Sequence, residues 1–160
     1  MKKASILVVD DNESILETLS AILEEKGYRT DTAKNGKEAI EKAKTNFYNV
    51  ALLDIKLPDI EGTKLLTKIE ETTPRMVKIM ITGYAALENA VEALNLGADA
   101  YIMKPVDPEN LLKIMNEKLK EQRKAEKMSQ KKVADWIETR ARKLEKERAR
   151  LSESEYVCYD

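Results

Sequence analysis

Four short apolar runs, closed in turn by Asp10, Asp54, Thr82 and Lys104 and separated by stretches with helical apolar spacing, constrain this chain more than any other feature. Ser5-Ile-Leu-Val-Val-Asp10 is short, uninterrupted and β-branched, as a strand buried on both faces must be. Ile15, Leu16, Leu19, Ile22 and Leu23 follow at helical spacing, and Lys26-Gly27 supplies the stop. Tyr28 to Thr32 reads as a weaker, more exposed strand. Asn35-Gly36 turns the chain into a helix through Lys44, with Ala39, Ile40 and Ala43 inward. Val50-Ala-Leu-Leu-Asp54 is the next buried strand, Pro58 and Gly62 break the loop after it, and Leu65, Leu66 and Ile69 mark a helix. Val77 to Ile81 ends at Thr82-Gly83, a helix carrying Leu87, Val91, Leu94 and Leu96 stops at Gly97, and Ala100-Tyr-Ile-Met103 is the last strand. Asp107-Pro108 opens the last helix. Met80 and Met103 are read as core filler.

Five such βα units imply a parallel sheet covered on both faces, because right-handed crossovers place helices on each side. The predicted fold class is therefore α/β, doubly wound, with a long C-terminal helix. In such folds the site lies outside the carboxyl ends of the strands. Asp10, Asp11, Asp54, Thr82 and Lys104 all fall there, and they bring three carboxylates, a hydroxyl and an ammonium to one edge.

The chain contains no histidine, which removes Ser-His-Asp and Cys-His catalysis, His-ligated metals and phosphohistidine chemistry. Crowded carboxylates are costly unless a cation neutralises them, and oxygen-only ligands select a hard ion, with Mg²⁺ the natural candidate. A carboxylate beside Mg²⁺ can act as nucleophile toward a phosphoryl group, whose spread charge Lys104 and Thr82 would share. Asp54 is the expected nucleophile, and Asp10 and Asp11 the expected metal ligands. The plainer readings are a helix N-cap for Asp10-Asp11, a turn residue for Asp54 or Thr82, and core packing for Tyr101. Tyr84 is expected at the rim of the site.

Asp10-Asp11, Asp54 with Pro58 and Gly62 behind it, Thr82-Gly83 and Lys104-Pro105, in this order on five βα units, resemble the receiver domain of two-component response regulators over about Lys3 to Leu119. The resemblance implies a five-stranded sheet of order 2-1-3-4-5 and phosphorylation of Asp54 by a sensor histidine kinase or a small phosphodonor. It implies Mg²⁺ held by Asp11, Asp54 and the Lys56 backbone carbonyl, with Asp10 acting largely through water. It further implies that Lys104 pairs with the phosphoryl oxygens, that the Lys104-Pro105 bond is cis, and that Thr82 and Tyr101 form a coupled switch. The chain is then a phosphoacceptor that assists its own phosphorylation and dephosphorylation rather than an enzyme. The alternatives are a Mg²⁺-dependent phosphatase with an aspartyl nucleophile, which Lys56 at the second position after Asp54 disfavours, or a receiver fragment of a longer regulator.

The expected division is a receiver over 1–121, a charged helical extension over 122–151 and an acidic, disordered tail over 152–160. No glycine follows Asp107 and no proline follows Pro108, so the last helix can run to about Leu151. Leu112, Met115 and Leu119 begin a heptad seam, with Val133 and Trp136 in the same phase. A shifted seam of Ile137, Ala141, Leu144 and Leu151 takes over, interrupted by Arg148. It reads as a broken coiled coil, and a homodimer through the last receiver helix or the arm is the expected use.

The 28 basic and 29 acidic residues nearly cancel, but Asn116 to Leu151 carries 13 basic against 7 acidic groups. Lys131, Lys132, Arg140, Arg142, Lys143 and Arg150 form a basic face, read as solvated, so nucleic acid is not an expected partner. Nor can the last 40 residues, rich in charge and without a second apolar core, build an effector domain. No run approaches a bilayer span, and one cysteine, Cys158, forms no intrachain disulfide. A soluble, cytoplasmic protein without membrane insertion is expected.

Overall fold

The computed structural model describes residues 4–73, 75–83 and 87–157. Its elements run β1 (Ser5–Val9), α1 (Glu13–Glu25), β2 (Arg29–Ala33), α2 (Gly36–Thr45), β3 (Val50–Asp54), α3 (Gly62–Thr72), β4 (Val77–Thr82), α4 (Leu87–Asn95), β5 (Ala100–Met103) and α5 (Pro108–Val157). The five strands form one parallel sheet in the order β2-β1-β3-β4-β5. The doubly wound sheet expected from the sequence is the one observed.

Strand alternation divides the core into two layers. Ile6, Val8, Leu52, Ile79 and Ile81 point toward Leu16, Leu19 and Leu23 of α1 and Leu111, Met115 and Leu119 of α5. Leu7, Val9, Ala51, Leu53 and Met80 point the other way, toward Ala39, Leu65, Leu66, Ile69 and Ala93. Each fully buried leucine contributes about 2 kcal/mol of transfer free energy, so the central strands anchor the fold. The edge strand β2 instead alternates exposed Arg29 and Asp31 with partly buried threonines, and its charges oppose edge-to-edge pairing.

Local stops and starts follow from particular side chains. Asn12 caps α1 by accepting from the Ser14 and Ile15 amides, and Gly27 ends it at a φ of 89°, where a side chain would be strained. Asp59, in the loop after β3, accepts from the Gly36 and Lys37 amides at 2.8 and 2.9 Å and so holds the start of α2.

The chain divides into two compact units, Met1–Gln122 and Arg123–Asp160. Gln122 belongs to the first, because its side-chain amide donates to the Asn49 carbonyl at 3.3 Å and the Arg75 carbonyl at 2.7 Å. Leu112, Met115 and Leu119 pack into the core rather than beginning a free coiled-coil seam. The segment expected as a disordered tail is helical as far as Val157, because nothing in 152–157 interrupts the backbone hydrogen-bond ladder.

Two apolar expectations fail. Met103 is half exposed, since alternation on the edge strand β5 turns Ile102 inward instead. Val91 and Leu94 are also half exposed, because α4 meets the sheet through the fully buried Ala93. Among the described residues, no helix is long and apolar enough to cross a membrane.

Candidate functional site

The strand order reverses between β2 and β3, on either side of β1, and the crevice beyond the carboxyl ends of β1 and β3 is the natural ligand position. β1 delivers Asp10 and Asp11 there, and β3 ends in Asp54. One carboxylate oxygen from each of Asp10, Asp11 and Asp54 lies within 4.8 Å of the others. Asp10 and Asp54 are buried, whereas Asp11 is exposed.

Hydrogen bonding distinguishes the three acids. Asp10 accepts from the Asn12 amide through Oδ1 at 2.9 Å and from Lys104 Nζ through Oδ2 at 2.8 Å. Asp54 accepts from the Lys56 amide through Oδ1 at 3.3 Å and from Lys104 through Oδ2 at 3.3 Å. Neither Asp10 nor Asp11 caps α1, because Asn12 does so; the plain capping reading of the pair fails on that observation.

Electrostatics follow from the crowding. Burial pushes the Asp54 carboxyl above the ordinary aspartate value and the Asp10 charge adds to this, while Lys104 and the Lys56 amide pull the other way. Burial works against the Lys104 ammonium, but hydrogen bonding and attraction from Asp10 and Asp54 outweigh it and hold the group above the usual lysine range. A pocket with three acids and one shared cation, all its donors oxygen, suits a hard divalent ion.

Thr82 closes β4 and is almost fully buried, at 1% exposure. It shares a hydrogen bond with the Tyr101 phenol, whose pKa burial raises and Thr82 lowers in part. The two residues are thus in direct contact across adjacent strands. The Lys104-Pro105 peptide is cis. Next to Lys104, an apolar groove of about 340 Å³ runs between α1 and the β5–α5 loop, lined by Ile15, Leu19, Ile22, Pro105 and Val106.

The β3–α3 loop is packed against the backbone. A Cβ on Gly62 would lie 2.5 Å from the Asp54 carbonyl oxygen and 2.5 Å from the Ile55 Cα, so close approach, not φ, requires glycine there. Sequence reasoning missed two residues that support this loop and its surroundings, Asn12 and Asp59. Asn12 carried a visible signal as an N-cap residue type before a helical pattern. Asp59 carried none, since it caps a helix that begins 23 residues earlier in the chain. Tyr84 lies outside the described residues.

The family model for the response regulator receiver domain matches residues 6–116. The chain is 36% identical over 106 residues to the transcriptional regulatory protein ZraR of Escherichia coli strain K12, covering 66% of this chain and 24% of that protein. It is 38% identical over 107 residues to the transcriptional regulatory protein DltR of Streptococcus agalactiae, covering 67% of this chain and 48% of that one. The chain therefore spans about a quarter to a half of the length of these curated relatives. Among solved structures, a CheY-like response regulator receiver domain protein from Methanospirillum hungatei JF-1 shares 52% identity at a TM-score of 0.76, covering 78% of this chain and 99% of that one.

Proposed function

The chain belongs to the response regulator receiver domain family of two-component systems, and on that premise we propose that it takes a phosphoryl group on Asp54, with Mg²⁺, and passes the event on through Thr82 and Tyr101. The observation that carries this reading is the convergence of Lys104 on both Asp10 and Asp54 beside Asp11.

Asp11, Asp54 and the Lys56 backbone carbonyl would hold the ion. Asp10, with both oxygens already engaged by Asn12 and Lys104, suits a role through water. Mg²⁺ would supply neutralisation of the acids and of the incoming phosphoryl oxygens. An Asp54 oxygen attacks phosphorus, the bond from phosphorus to the donor's histidine nitrogen breaks, and the departing imidazole keeps the electron pair and takes up a proton. Lys104 gives up part of its contact with Asp54 to meet the new anionic oxygens, while Asp10 keeps the ammonium in place. The donor is a sensor histidine kinase or a small phosphodonor. The apolar groove beside Lys104 is consistent with a protein donor that covers the site.

Thr82 is bonded to Tyr101 at rest. A phosphoryl oxygen on Asp54 offers its hydroxyl a charged acceptor, and charge-assisted hydrogen bonds are roughly twice as strong as neutral ones. Exchange of partners releases the Tyr101 ring, a local charge event that biases a two-state element. The chain acts as a switch and not as a phosphatase on external esters, since Lys56 occupies the position where a proton-donating acid would be needed. A cytoplasmic setting fits a partner kinase and a reduced Cys158. The transcriptional roles in the relatives' names belong to longer proteins, and DNA contact is not assigned to this chain.

The test is phosphorylation by acetyl phosphate with Mg²⁺, followed by intact-mass measurement. Wild type gains one phosphoryl group and Asp54→Asn gains none. Equal modification of the variant overturns the assignment.

A further inference from the structure

The unit from Arg123 onward is helical through Val157 and displays large apolar side chains to solvent: Val133 and Ile137 are each 55% exposed, Leu144 48% and Leu151 67%. A helix with so much exposed apolar surface has a face suited to a partner. Ile137, Leu144 and Leu151 recur every seven residues, and Ala134 and Ala141 lie three residues before Ile137 and Leu144. In heptad terms the three large residues are d, and Ala134, Ala141 and Arg148 are a. Met128 and Trp136 fall outside this seam.

The flanking charges choose among pairings. Positions g are Glu126, Val133, Arg140 and Glu147, and positions e are Lys131, Glu138, Glu145 and Ser152. In a parallel, in-register pair each g residue faces the e residue five further along the other helix. Glu126 then meets Lys131 and Arg140 meets Glu145, each pair occurring twice by symmetry. Val133 meets Glu138 and Glu147 meets Ser152, so no like charges oppose. The antiparallel pairing that keeps the same apolar span in contact sets Glu138 against Glu145 twice and Arg140 against Glu147 twice, so its attraction is offset by a like-charge pair that the parallel register lacks. Arg148 is the one charged a position between Ala134 and Leu151. It costs stability but fits a two-stranded seam whose a positions lie near solvent, with its stem lying along the groove and its head in water.

We propose that this arm pairs with the arm of a second copy of this chain as a parallel, in-register, two-stranded coiled coil with its seam from Ala134 to Leu151. The seam spans fewer than three heptads, so association depends on concentration. The inference needs no step at Asp54 and stands or falls apart from the phosphoacceptor reading.

The experiment is sedimentation velocity on the full chain over a concentration series. Wild type moves from monomer to dimer, and Leu144→Asp remains monomeric while the receiver's melting transition is unchanged. Wild type that stays monomeric throughout, or a Leu144→Asp protein that still dimerises, overturns the proposal. The register is tested by charge, and the orientation by crosslinking. Arg140→Glu turns two attractive contacts repulsive and weakens association by about tenfold, equivalent to ~1.4 kcal/mol, and adding Glu145→Arg restores it. If the double variant stays as weak as the single one, the parallel register is wrong. On a Cys158→Ser background, Leu144→Cys forms a disulfide-linked dimer on mild oxidation. Linking only when Leu144→Cys is mixed with Ala141→Cys identifies the antiparallel pairing and rejects the proposal.

Discussion

Lys104 reaches Asp10 over 2.8 Å, closer than the 3.3 Å that separates it from Asp54. The cation is therefore committed more closely to Asp10 than to Asp54. This asymmetry sets the electrostatics of the acidic cluster.

Asp54 is expected to destabilise the metal-free protein at neutral pH. Its folded-state pKa is raised, mainly by burial and then by Asp10, so the folded state binds its proton more tightly than the unfolded chain does. Stability from this group is present below the ordinary carboxylate value and is lost as pH rises through the raised folded value. Asp54→Asn should raise the melting temperature without divalent ions by a few degrees, about 1 kcal/mol, and flatten that part of the pH profile. Calorimetry across the acid range checks both, and a lower melting temperature would contradict the account.

Mg²⁺ should reverse that penalty. A free concentration ten times the dissociation constant stabilises the folded state by about 1.4 kcal/mol, and Asp11→Asn should weaken binding by at least roughly tenfold, since it removes one of the three carboxylates of the cluster. Protons compete with the ion at Asp54, so affinity should fall as pH drops through that residue's raised pKa, sooner than for ordinary carboxylates. Titration calorimetry at several pH values measures both effects.

Far from the site, Lys78 is 1% exposed and its ammonium is paired with Glu70 on α3 and hydrogen-bonded to the Met76 carbonyl at 2.7 Å. Glu70→Ala leaves that buried charge without its carboxylate and should cost about 2 kcal/mol, less than for a fully buried pair because Glu70 is partly solvated. Lys78→Met combined with Glu70→Leu should lie within about 1 kcal/mol of wild type. Urea denaturation of the three proteins distinguishes the cost of removing one carboxylate beside a buried ammonium from a pair that stabilises in its own right.

Asp59 offers a test of loop support. The Gly36 and Lys37 amides hold its carboxyl below the usual aspartate range. Its contribution is present above the unfolded pKa and lost as pH falls through the lowered folded value. Asp59→Asn should lower the melting temperature and speed hydrogen exchange at Gly36 and Lys37, with little change in the core strands. Unchanged exchange at those two amides would show that the contact does not order the start of α2.

The sheet was legible in the sequence because uninterrupted apolar runs rich in β-branched residues, such as Ile6–Val9, have few other solutions, and strand ends alone placed Asp10, Asp54, Thr82 and Lys104 on one edge. Tertiary choices were not legible. Periodicity marked Val91 and Leu94 on α4, but contact through Ala93 depends on how closely that helix approaches the sheet. Met103 sits on an edge strand whose outer face no sequence pattern identifies as open. Leu112, Met115 and Leu119 fit a heptad and a receiver core equally well, since both use the same face of a helix. Asp59 and Gln122 act on segments distant in the chain, which local spacing does not encode.

The two bonds from Gln122 bear on where this chain can be shortened. Its carboxamide fastens the end of the receiver portion of α5 to the segments that lead into β3 and β4. A fragment ending at Leu119 or Glu121 discards that fastening and frays a helix whose Leu119 still has to cover the core. Trimming after Gln122 leaves the receiver closed.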